Sequence, residues 1–364
     1  MLVDYQNSIV NLANSILKYY GASHNHSTLK EVDELLQNQY KNVVVLLLDG
    51  MGVDALKYHL SEDSFFRKNM IREYYSVFPP TTTSATTTME SGLTPVEHGW
   101  LGWSLYFKEL DKIVEAFPNM EKDTGMQAAD YNVARRYIPY RSIYDKIKET
   151  GGANAYSVFR FGNIRIETFD ELIGEIERLC ATEERKYIYG YWEYPDSLMH
   201  DHGCYSKIVT DNIKKIEDKI EQMCEGLTDT LVIITADHGH INLEHYLVSD
   251  YPDLISMLER PTAIEPRATA FYVKEEYLDK FPEEFKRNFG DEFLLFSRDE
   301  VIDKNIFGIG KMHPRFIEFI GDYLSIAIKD KGIVYSHASK QYVSHHAGFT
   351  DQEMKIPLIA ISKK

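Results

Sequence analysis

The feature that most constrains the fold is a run of six apolar residues, Val43–Leu48, within the sequence KNVVVLLLDGMG. β-Branched residues lead the run and no polar residue interrupts it, which is typical of a strand buried on both faces. Three other segments, at residues 185–196, 230–240 and 355–362, also read as strands. The clearest helical pattern between them covers residues 205–227. This alternation predicts an α/β fold of the three-layer α/β/α type, with a mostly parallel central sheet.

The rest of the chain divides around this core. Residues 1–36 look like two helices that form an N-terminal cap, and residues 37–264 are predicted to hold the first part of the α/β core. Residues 97–185 are the least regular part of that stretch, and we expect a lid within them. Residues 265–325 mix short strands, short helices and many charges, which indicates a small inserted α+β subdomain. Residues 326–364 then complete the core.

The net charge and the cysteines limit the partners and the compartment. At a formal charge of −16 the chain repels long polyanions, so we expect no nucleic acid polymer as a partner. A small anionic substrate is compatible with this charge if cations reverse the field locally. Three cysteines with no CxxC pair suit a reducing compartment. We see neither a signal peptide nor an apolar run near the ~20 residues that span a bilayer, so we expect a cytoplasmic protein with no membrane partner.

Carboxylate and imidazole side chains occupy four positions at or beyond the ends of the predicted strands, where open parallel sheets place their binding sites. They are Asp49, the pair Asp196 and His200, the pair Asp237 and His238, and the pair His345 and His346. A spacing of four puts Asp196 and His200 on one face of a helical turn, which is a common way to place two metal ligands. Taken singly, each position also has an ordinary explanation, such as a helix-capping aspartate or a core histidine.

Together, three aspartates and three histidines suffice for two adjacent divalent metal sites. A ligand set rich in histidine and supported by carboxylates favours zinc, although manganese or iron would also fit. Two such ions a few ångström apart can clamp the attacking and leaving oxygens of a phosphoryl or sulfuryl displacement. A metallopeptidase is disfavoured because the sequence contains no HExxH motif.

A hydroxyl-rich segment lies between these ligand positions. Residues 78–92 read FPPTTTSATTTMESG, and seven of the eight positions from 81 to 88 carry a hydroxyl. The segment fits a polar linker, a capped helix start, or a stretch in which one hydroxyl is a nucleophile. A linker is the least favoured of the three because strand-end ligands flank the segment. The residue pattern leaves open which hydroxyl would act.

The motifs, taken in order, resemble the alkaline phosphatase superfamily, and within it the type I phosphodiesterase/nucleotide pyrophosphatase branch. The resemblance runs from about residue 40 to residue 362 and is carried by LLLDGMG, TADHGH, HHAGFTDQEMKIPLI and FPPTTTSATTTMESGLTPVEHG. The family pattern Phe-Pro-x-x-Thr, aligned on Phe78 and Pro79, places the family's nucleophile on Thr82.

By position, the resemblance implies one ligand set for each of two divalent metal ions. The first set is Asp49, Thr82, Asp237 and His238, and the second is Asp196, His200 and His346. His346 is preferred to His345 because it precedes Ala347 and Gly348, where the family places its ligand.

The activity that the resemblance implies is a two-metal hydrolase that cleaves phosphodiester or pyrophosphate bonds through a covalent phosphothreonine. The alternatives are a phosphomonoesterase or phosphonate hydrolase on the same scaffold, and a non-catalytic metal-binding relative. Nucleotide-processing members carry an asparagine three positions after the nucleophile, whereas this chain has Ala85, so the natural substrate stays open. The neighbouring hydroxyls or the amide of Thr83 are the candidate phosphate ligands in place of that asparagine, and Trp103 is a candidate for stacking on a base or aryl group.

Overall fold

The structure is a computed structural model that describes residues 3–122 and 124–364. Its strands are β1 (Asn42–Leu48), β2 (Met70–Tyr75), β3 (Ser104–Phe107), β4 (Lys112–Glu115), β5 (Met120–Glu121), β6 (Asn154–Val158), β7 (Lys186–Trp192), β8 (Thr230–Thr235), β9 (Ile241–Asn242), β10 (Glu244–Leu247), β11 (Ala263–Ile264), β12 (Ala268–Phe271), β13 (Phe293–Ser297), β14 (Tyr323–Ala327), β15 (Lys331–Val334), β16 (Ser344–His345) and β17 (Lys355–Lys363). Its α-helices are α1 (Ile9–Tyr19), α2 (Lys30–Leu36), α3 (Val53–His59), α4 (Phe65–Lys68), α5 (Thr82–Ser91), α6 (Pro95–His98), α7 (Val133–Tyr137), α8 (Ile143–Glu149), α9 (Phe169–Cys180), α10 (Asp196–His202), α11 (Lys207–Gly226), α12 (Pro252–Met257), α13 (Phe281–Phe289), α14 (Arg298–Asp303), α15 (Phe316–Phe319) and α16 (Asp351–Met354).

The central sheet contains six strands in the order β2-β17-β8-β1-β7-β6. Strands β8, β1, β7 and β6 pair in parallel, and β17 runs antiparallel to both of its neighbours, β2 and β8. All seven residues of β1 are buried, as expected for a central strand of a sheet that is covered on both faces. This mostly parallel sheet confirms the predicted α/β fold class.

Helices cover both faces of the central sheet. On β7, the Tyr187 ring contacts the Tyr144 ring of α8. Gly190, three residues further along the strand, faces the opposite side, because successive strand residues alternate. A Cβ added to Gly190 would lie 3.2 Å from Leu172 and 3.3 Å from Ile176, both on α9. The helices α8 and α9 therefore lie on opposite faces, and the core has three layers.

A second sheet contains seven strands in the order β13-β14-β12-β11-β3-β4-β5 and is antiparallel throughout. It joins two distant parts of the chain, because Ile264 of β11 pairs with Ser104 of β3. The division therefore differs from the predicted one. Within the predicted lid at residues 97–185, β3–β5 join the second sheet, whereas β6 belongs to the central one. The predicted subdomain at residues 265–325 is only part of a larger unit, and the strands that extend it are too short to show in the sequence pattern.

One buried ion pair ties the second sheet to the end of the core. Arg267, directly before β12, donates from Nε to Glu353 Oε1 at 2.6 Å and from Nη2 to Oε2 at 2.8 Å. Both side chains are fully buried. Glu353 Oε1 also accepts the Gly348 amide at 2.6 Å. Because a bidentate pair fixes geometry as well as charge, these bonds hold the loop between β16 and α16, which carries His346.

Within the predicted cap at residues 1–36, the described residues form helices α1 and α2. Helix α1 packs on α5, and Asn14 Nδ2 donates to Gly92 O at 3.0 Å. Nowhere in residues 3–122 and 124–364 is a helix both long and apolar enough to cross a membrane.

Candidate metal centre

Three adjacent strands bring the polar side chains of this centre together. The strands β8, β1 and β7 lie side by side, and their carboxyl ends are level. Asp49 directly follows β1, Asp237 lies two residues beyond β8, and Asp196 begins α10 after β7. The main chain joins two of these positions, because the Asp196 amide donates to Asp49 O at 3.0 Å. The edge formed by these strand ends is where open parallel sheets bind ligands.

The first group of side chains consists of Asp49, Thr82, Asp237 and His238, all of them buried. His238 Nε2 lies 3.3 Å from Asp49 Oδ1 and 3.5 Å from Asp237 Oδ2. Thr82 Oγ1 lies 3.4 Å from Asp49 Oδ2 and 3.3 Å from His238 Nε2. The Tyr191 hydroxyl donates to Asp49 Oδ2. The structure thus places all four side chains of the first predicted ligand set around one point.

The electrostatics of this group favour a bound cation. Asp237 Oδ1 accepts the amides of Gly50 and His238 at 3.0 Å each, but its Oδ2 has no hydrogen-bond partner among the described residues. Burial, together with the neighbouring Asp49 carboxylate, raises the pKa of Asp237 well above its usual range. Burial alone would lower the pKa of His238, but the carboxylates of Asp237 and Asp49 raise it to about 10. Two buried carboxylates, one with an unpaired oxygen, and an imidazole suit a divalent metal.

The second group consists of Asp196, His200 and His346. Asp196 Oδ1 lies 3.5 Å from His200 Nε2 and 3.8 Å from His346 Nε2. Because α10 begins at Asp196, Asp196 and His200 are one turn apart on the same face of that helix. The His346 ring stacks on the His238 ring with a centroid distance of 3.7 Å, so the two groups are adjacent.

Each predicted histidine ligand is oriented by a hydrogen bond from Nδ1 to a backbone carbonyl oxygen. The pairs are His200 with Ser344 at 2.9 Å, His238 with Gly239 at 3.1 Å and His346 with Pro80 at 3.2 Å. Because a carbonyl oxygen only accepts, each Nδ1 carries a proton, and the Nε2 atom of each ring faces the carboxylates. Metal-ligating histidines are fixed in this way. The residues therefore fit two divalent ions, one for each group.

Two further histidines lie in the same cluster: His240, which sequence reasoning did not single out, and His345, to which it preferred His346. His240 Nε2 is 2.5 Å from Asp196 Oδ1, and the ligand atoms of Asp196, His238, His240 and His346 are close enough to share one ion. His345 is also buried and lines the pocket, and its Nδ1 accepts the His346 amide at 2.9 Å. In the sequence, His240 lies two residues after His238 and is separated from it by Gly239.

The hydroxyl-rich segment forms the start of helix α5. Thr81 is the N-cap residue and Thr82 the first helical residue, so the linker interpretation is wrong. The Ala85 amide donates to Thr81 O at 2.9 Å, and the three preceding amides have no acceptor among the described residues. Of the seven hydroxyls, which all lie in the described part of the chain, only that of Thr82 is within hydrogen-bond distance of Asp49 and His238.

The structure separates the candidate substrate contacts by their surroundings. Thr83 is fully buried, and its Oγ1 has no hydrogen-bond partner among the described residues. Ala85 packs in the hydrophobic core of the central sheet, so its side chain supplies no contact in place of the family's asparagine. Trp103 is 39% exposed and lines the pocket. Position 103 is therefore accessible to a bound molecule, whereas position 85 is not.

A cavity of about 720 Å³ opens over the centre. Thr82, Asp196 and His200 line it, and so do Trp103 and Glu265 from the segments that build the second sheet. A ligand in this cavity would therefore contact both parts of the molecule.

Glu265 connects the second sheet to the start of α5. Its Oε1 accepts the Thr81 hydroxyl at 2.6 Å and the Trp103 amide at 2.7 Å. Burial raises the pKa of Glu265 from 4.5 to about 7, although both donors act in the opposite direction. A carboxyl group with this pKa is half protonated near neutral pH.

We predict that the Glu265→Gln variant removes a pH-dependent loss of stability. The folded state keeps the Glu265 proton at a higher pH than the unfolded chain does, so the wild-type protein loses stability as the pH rises from about 4.5 to about 7. Glutamine does not titrate and its Oε1 accepts both hydrogen bonds. The unfolding free energy of the variant minus that of the wild type should therefore rise by on the order of 3 kcal/mol across this window. Denaturant titrations at several pH values measure this difference, and parallel curves would contradict the prediction.

Comparisons with known proteins place the chain among phosphoric ester hydrolases. The sequence matches the model of the family described as type I phosphodiesterase / nucleotide pyrophosphatase over residues 43–324. No curated protein shows a significant match. Murine ectonucleotide pyrophosphatase / phosphodiesterase 5 is a similar solved structure, with a TM-score of 0.67, 15% identity and 87% of each chain covered.

Two other solved structures share the fold. Human ectonucleotide pyrophosphatase / phosphodiesterase 5 has a TM-score of 0.65, 15% identity and 87% of each chain covered. Phosphonoacetate hydrolase from Sinorhizobium meliloti 1021, in complex with phosphonoformate, has a TM-score of 0.62 and 14% identity, with 87% of this chain and 89% of that chain covered. At such low identity the structural likeness shows the fold alone, and it agrees with the predicted family resemblance.

Proposed function

The chain belongs to the type I phosphodiesterase / nucleotide pyrophosphatase family, and from this premise we propose that it hydrolyses phosphodiester or pyrophosphate bonds with Thr82 as its nucleophile. The observation that carries the proposal is the position of the Thr82 hydroxyl. It lies 3.4 Å from Asp49 and 3.3 Å from His238, at the N-terminus of a helix of 10 residues and on the wall of the cavity. A hydroxyl, metal-binding groups and amide donors therefore meet where a phosphoryl group can enter.

We propose that the two ligand groups hold zinc, because imidazole nitrogen and carboxylate oxygen make up their donors. One ion would be held by Asp49, Asp237 and His238, and the other by Asp196, His200 and His346. When bound, such ions lower the pKa of a neighbouring hydroxyl or water and neutralise the charge that develops on a transferred phosphoryl group. On a chain with a formal charge of −16 they also offset the repulsion of an anionic substrate.

The side chains around Thr82 suit a transfer in two steps. Asp49 accepts the Thr82 hydroxyl proton in a hydrogen bond, which turns an oxygen lone pair towards the cavity. Thr82 Oγ1 then bonds to phosphorus as the bond from phosphorus to the leaving oxygen breaks, and the proton of the Thr82 hydroxyl is transferred to that leaving oxygen. The free amides at the start of α5 stabilise the negative phosphoryl oxygens. Water next attacks the phosphothreonine, releases the phosphate product and restores the hydroxyl.

The ligands bound in two related structures support a small phosphorylated molecule as the substrate. An inactive threonine-to-alanine variant of the murine protein was solved with AMP, and the bacterial hydrolase was solved with phosphonoformate. A phosphomonoesterase or phosphonate hydrolase is the second candidate, because the buried Ala85 side chain replaces an asparagine of the nucleotide-processing members.

The two candidates are separated by the rates on three substrates. We expect the zinc-loaded protein to hydrolyse bis(4-nitrophenyl) phosphate with a higher kcat/KM than 4-nitrophenyl phosphate, and to release little phosphate from phosphonoacetate. A preference for the monoester or the phosphonate would replace the leading proposal with the second one. No turnover of any substrate by protein with two bound ions would favour a non-catalytic metal-binding role.

A further inference from the structure

His240 lies beside the second ligand group, Asp196, His200 and His346, but is not one of its predicted ligands. Its side chain is buried, and its Nε2 lies 2.5 Å from Asp196 Oδ1. The corresponding distances from the same oxygen are 3.5 Å for His200 and 3.8 Å for His346. His240 is therefore nearer to the carboxylate than either histidine that the family pattern selects.

The hydrogen bonds around His240 establish which ring nitrogen carries its proton. The Ser344 hydroxyl donates to Met199 O at 2.6 Å, so the Ser344 oxygen is left as an acceptor. His240 Nδ1 lies 3.1 Å from that oxygen and donates to it. In the neutral ring, Nε2 then has a lone pair directed at Asp196. Two such electron-rich atoms repel each other unless a cation binds both of them.

The same arrangement occurs in all the histidines of the two ligand groups. In His200, His238 and His346, Nδ1 donates to an oxygen and Nε2 faces a carboxylate. His240 differs only in that a serine hydroxyl replaces the backbone carbonyl as the acceptor. Its ligand atom also lies within 4.8 Å of those of Asp196, His238 and His346. Position, orientation and tautomer thus match those of a ligand rather than those of a packed core histidine.

We propose that His240 is an additional protein ligand of the ion held by Asp196, His200 and His346. This inference rests on the proposed metal-dependent function and deepens it. The ion would be held by three imidazoles and one carboxylate, which binds it more tightly than three ligands alone. Because a third neutral nitrogen donates further electron density, the same ion would be a weaker Lewis acid than that in the first group.

Cobalt(II) is the probe that tests this role, because its visible absorption reports the number and kind of its ligands. The wild-type protein is stripped of metal and titrated with cobalt, and the same titration is made with His240→Ala and His240→Gln. Glutamine can donate a hydrogen bond to Asp196, as the imidazole would if it acted only as a hydrogen-bond partner, but it is a poor metal ligand. His345→Gln is the matched control, since it removes another buried imidazole of the same cluster that does not contact Asp196 in the structure.

We expect two bound cobalt ions in the wild-type protein and weaker binding of one of them, by roughly 10- to 100-fold or more, in both His240 variants. The absorption of that ion should change in both variants and stay the same in His345→Gln. If His240→Gln keeps the wild-type affinity for cobalt and the wild-type spectrum, His240 acts only as a hydrogen-bond partner of Asp196, and the inference is wrong. If the wild-type protein itself binds no cobalt, the proposed function fails instead, so the two failures are distinguishable.

Discussion

The Thr82→Val variant is expected to lose almost all hydrolytic activity, with kcat/KM for a phosphodiester lowered roughly 10⁴-fold or more. Valine has nearly the shape of threonine but offers no oxygen to attack phosphorus. The Thr82 hydroxyl lies 3.3 to 3.5 Å from its partners on Asp49 and His238, which is long for a hydrogen bond. Removing these contacts should therefore change the unfolding free energy little. Initial rates with bis(4-nitrophenyl) phosphate measure the loss, and the thermal unfolding temperature shows that the fold is kept.

Thr87→Val is the matched control for this experiment. Thr87 lies on the same helix, its side chain is buried, and its Oγ1 has no hydrogen-bond partner among the described residues. Loss of such a hydroxyl should leave both activity and stability at or above the wild-type level. Thr82→Ser should recover part of the rate, because it restores the oxygen. A Thr82→Val variant that stays active while Thr83→Val is inactive would shift the nucleophile to position 83.

A phosphoryl adduct gives an independent reading of the same step. Rapid acid quenching during turnover should trap phosphate on the peptide that contains Thr82 in the wild-type protein and not in Thr82→Val. Mass spectrometry of the digested protein detects the adduct. Full turnover with no adduct under any quench condition would favour direct attack by water.

Removal of the metal ions is the second change with a large expected effect, since it should abolish activity and lower stability together. Binding to the folded state alone contributes RT ln(1 + [L]/Kd), or about 4 kcal/mol per site when the free metal is a thousand times Kd. Without the ions, the carboxylates of Asp49 and Asp237 lie within 4.8 Å of each other in a buried site. Chelation followed by activity assays and thermal unfolding measures both effects, and zinc should restore them.

The stability lost on chelation should grow with pH. In the metal-free folded protein the carboxylates beside His238 raise its pKa to about 10, whereas the unfolded chain releases that proton near pH 6.5. A raised folded pKa stabilises the protein below the unfolded value, and this stabilisation is lost as the pH rises through about 10. The raised pKa of Asp237 acts in the same direction. The difference in unfolding temperature between loaded and stripped protein should therefore increase from pH 7 to pH 9.5.

Asp237→Asn provides the control for this pH dependence. Asparagine removes one buried negative charge, so the stripped variant should be more stable than the stripped wild-type protein at high pH. The same change removes a metal ligand, so added zinc should stabilise the variant much less. Equal unfolding temperatures for loaded and stripped wild-type protein across this pH range would show that no ion is held between Asp49 and Asp237.

The parts of the fold that could be predicted from the sequence are those with a local signal. The run at Val43–Leu48 is apolar throughout because β1 is buried on both faces, so the residue pattern alone indicates a central strand. Asp196 and His200 could be paired in advance because a helical turn brings positions four apart together. The second sheet carries no comparable signal. It depends on the pairing of Ile264 with Ser104, and β11 is only two residues long.

The candidate site was predictable to a similar extent and for similar reasons. Seven hydroxyls in eight positions are equivalent as a residue pattern, and only the family resemblance pointed to Thr82. In the structure the hydroxyls differ, because the start of α5 directs Oγ1 of Thr82 towards Asp49. His240 was not selected because the tight approach at Gly239, where an added Cβ would lie 2.0 Å from Gln352 O, depends on packing between distant segments. No sequence pattern reports such an approach.

The position of β17 has a consequence for the order in which the molecule can be assembled. Strand β17 lies between β2 and β8, so each of these strands has an open edge until residues 355–363 have been synthesised. On the ribosome, Asp49, Asp196 and Asp237 emerge well before His346 and the strand that closes the sheet. A nascent chain therefore carries an unfinished metal centre and an apolar β8 edge through the same interval. A chain released during that interval exposes a surface suited to aggregation, and completion of the second ligand group coincides with protection of that edge.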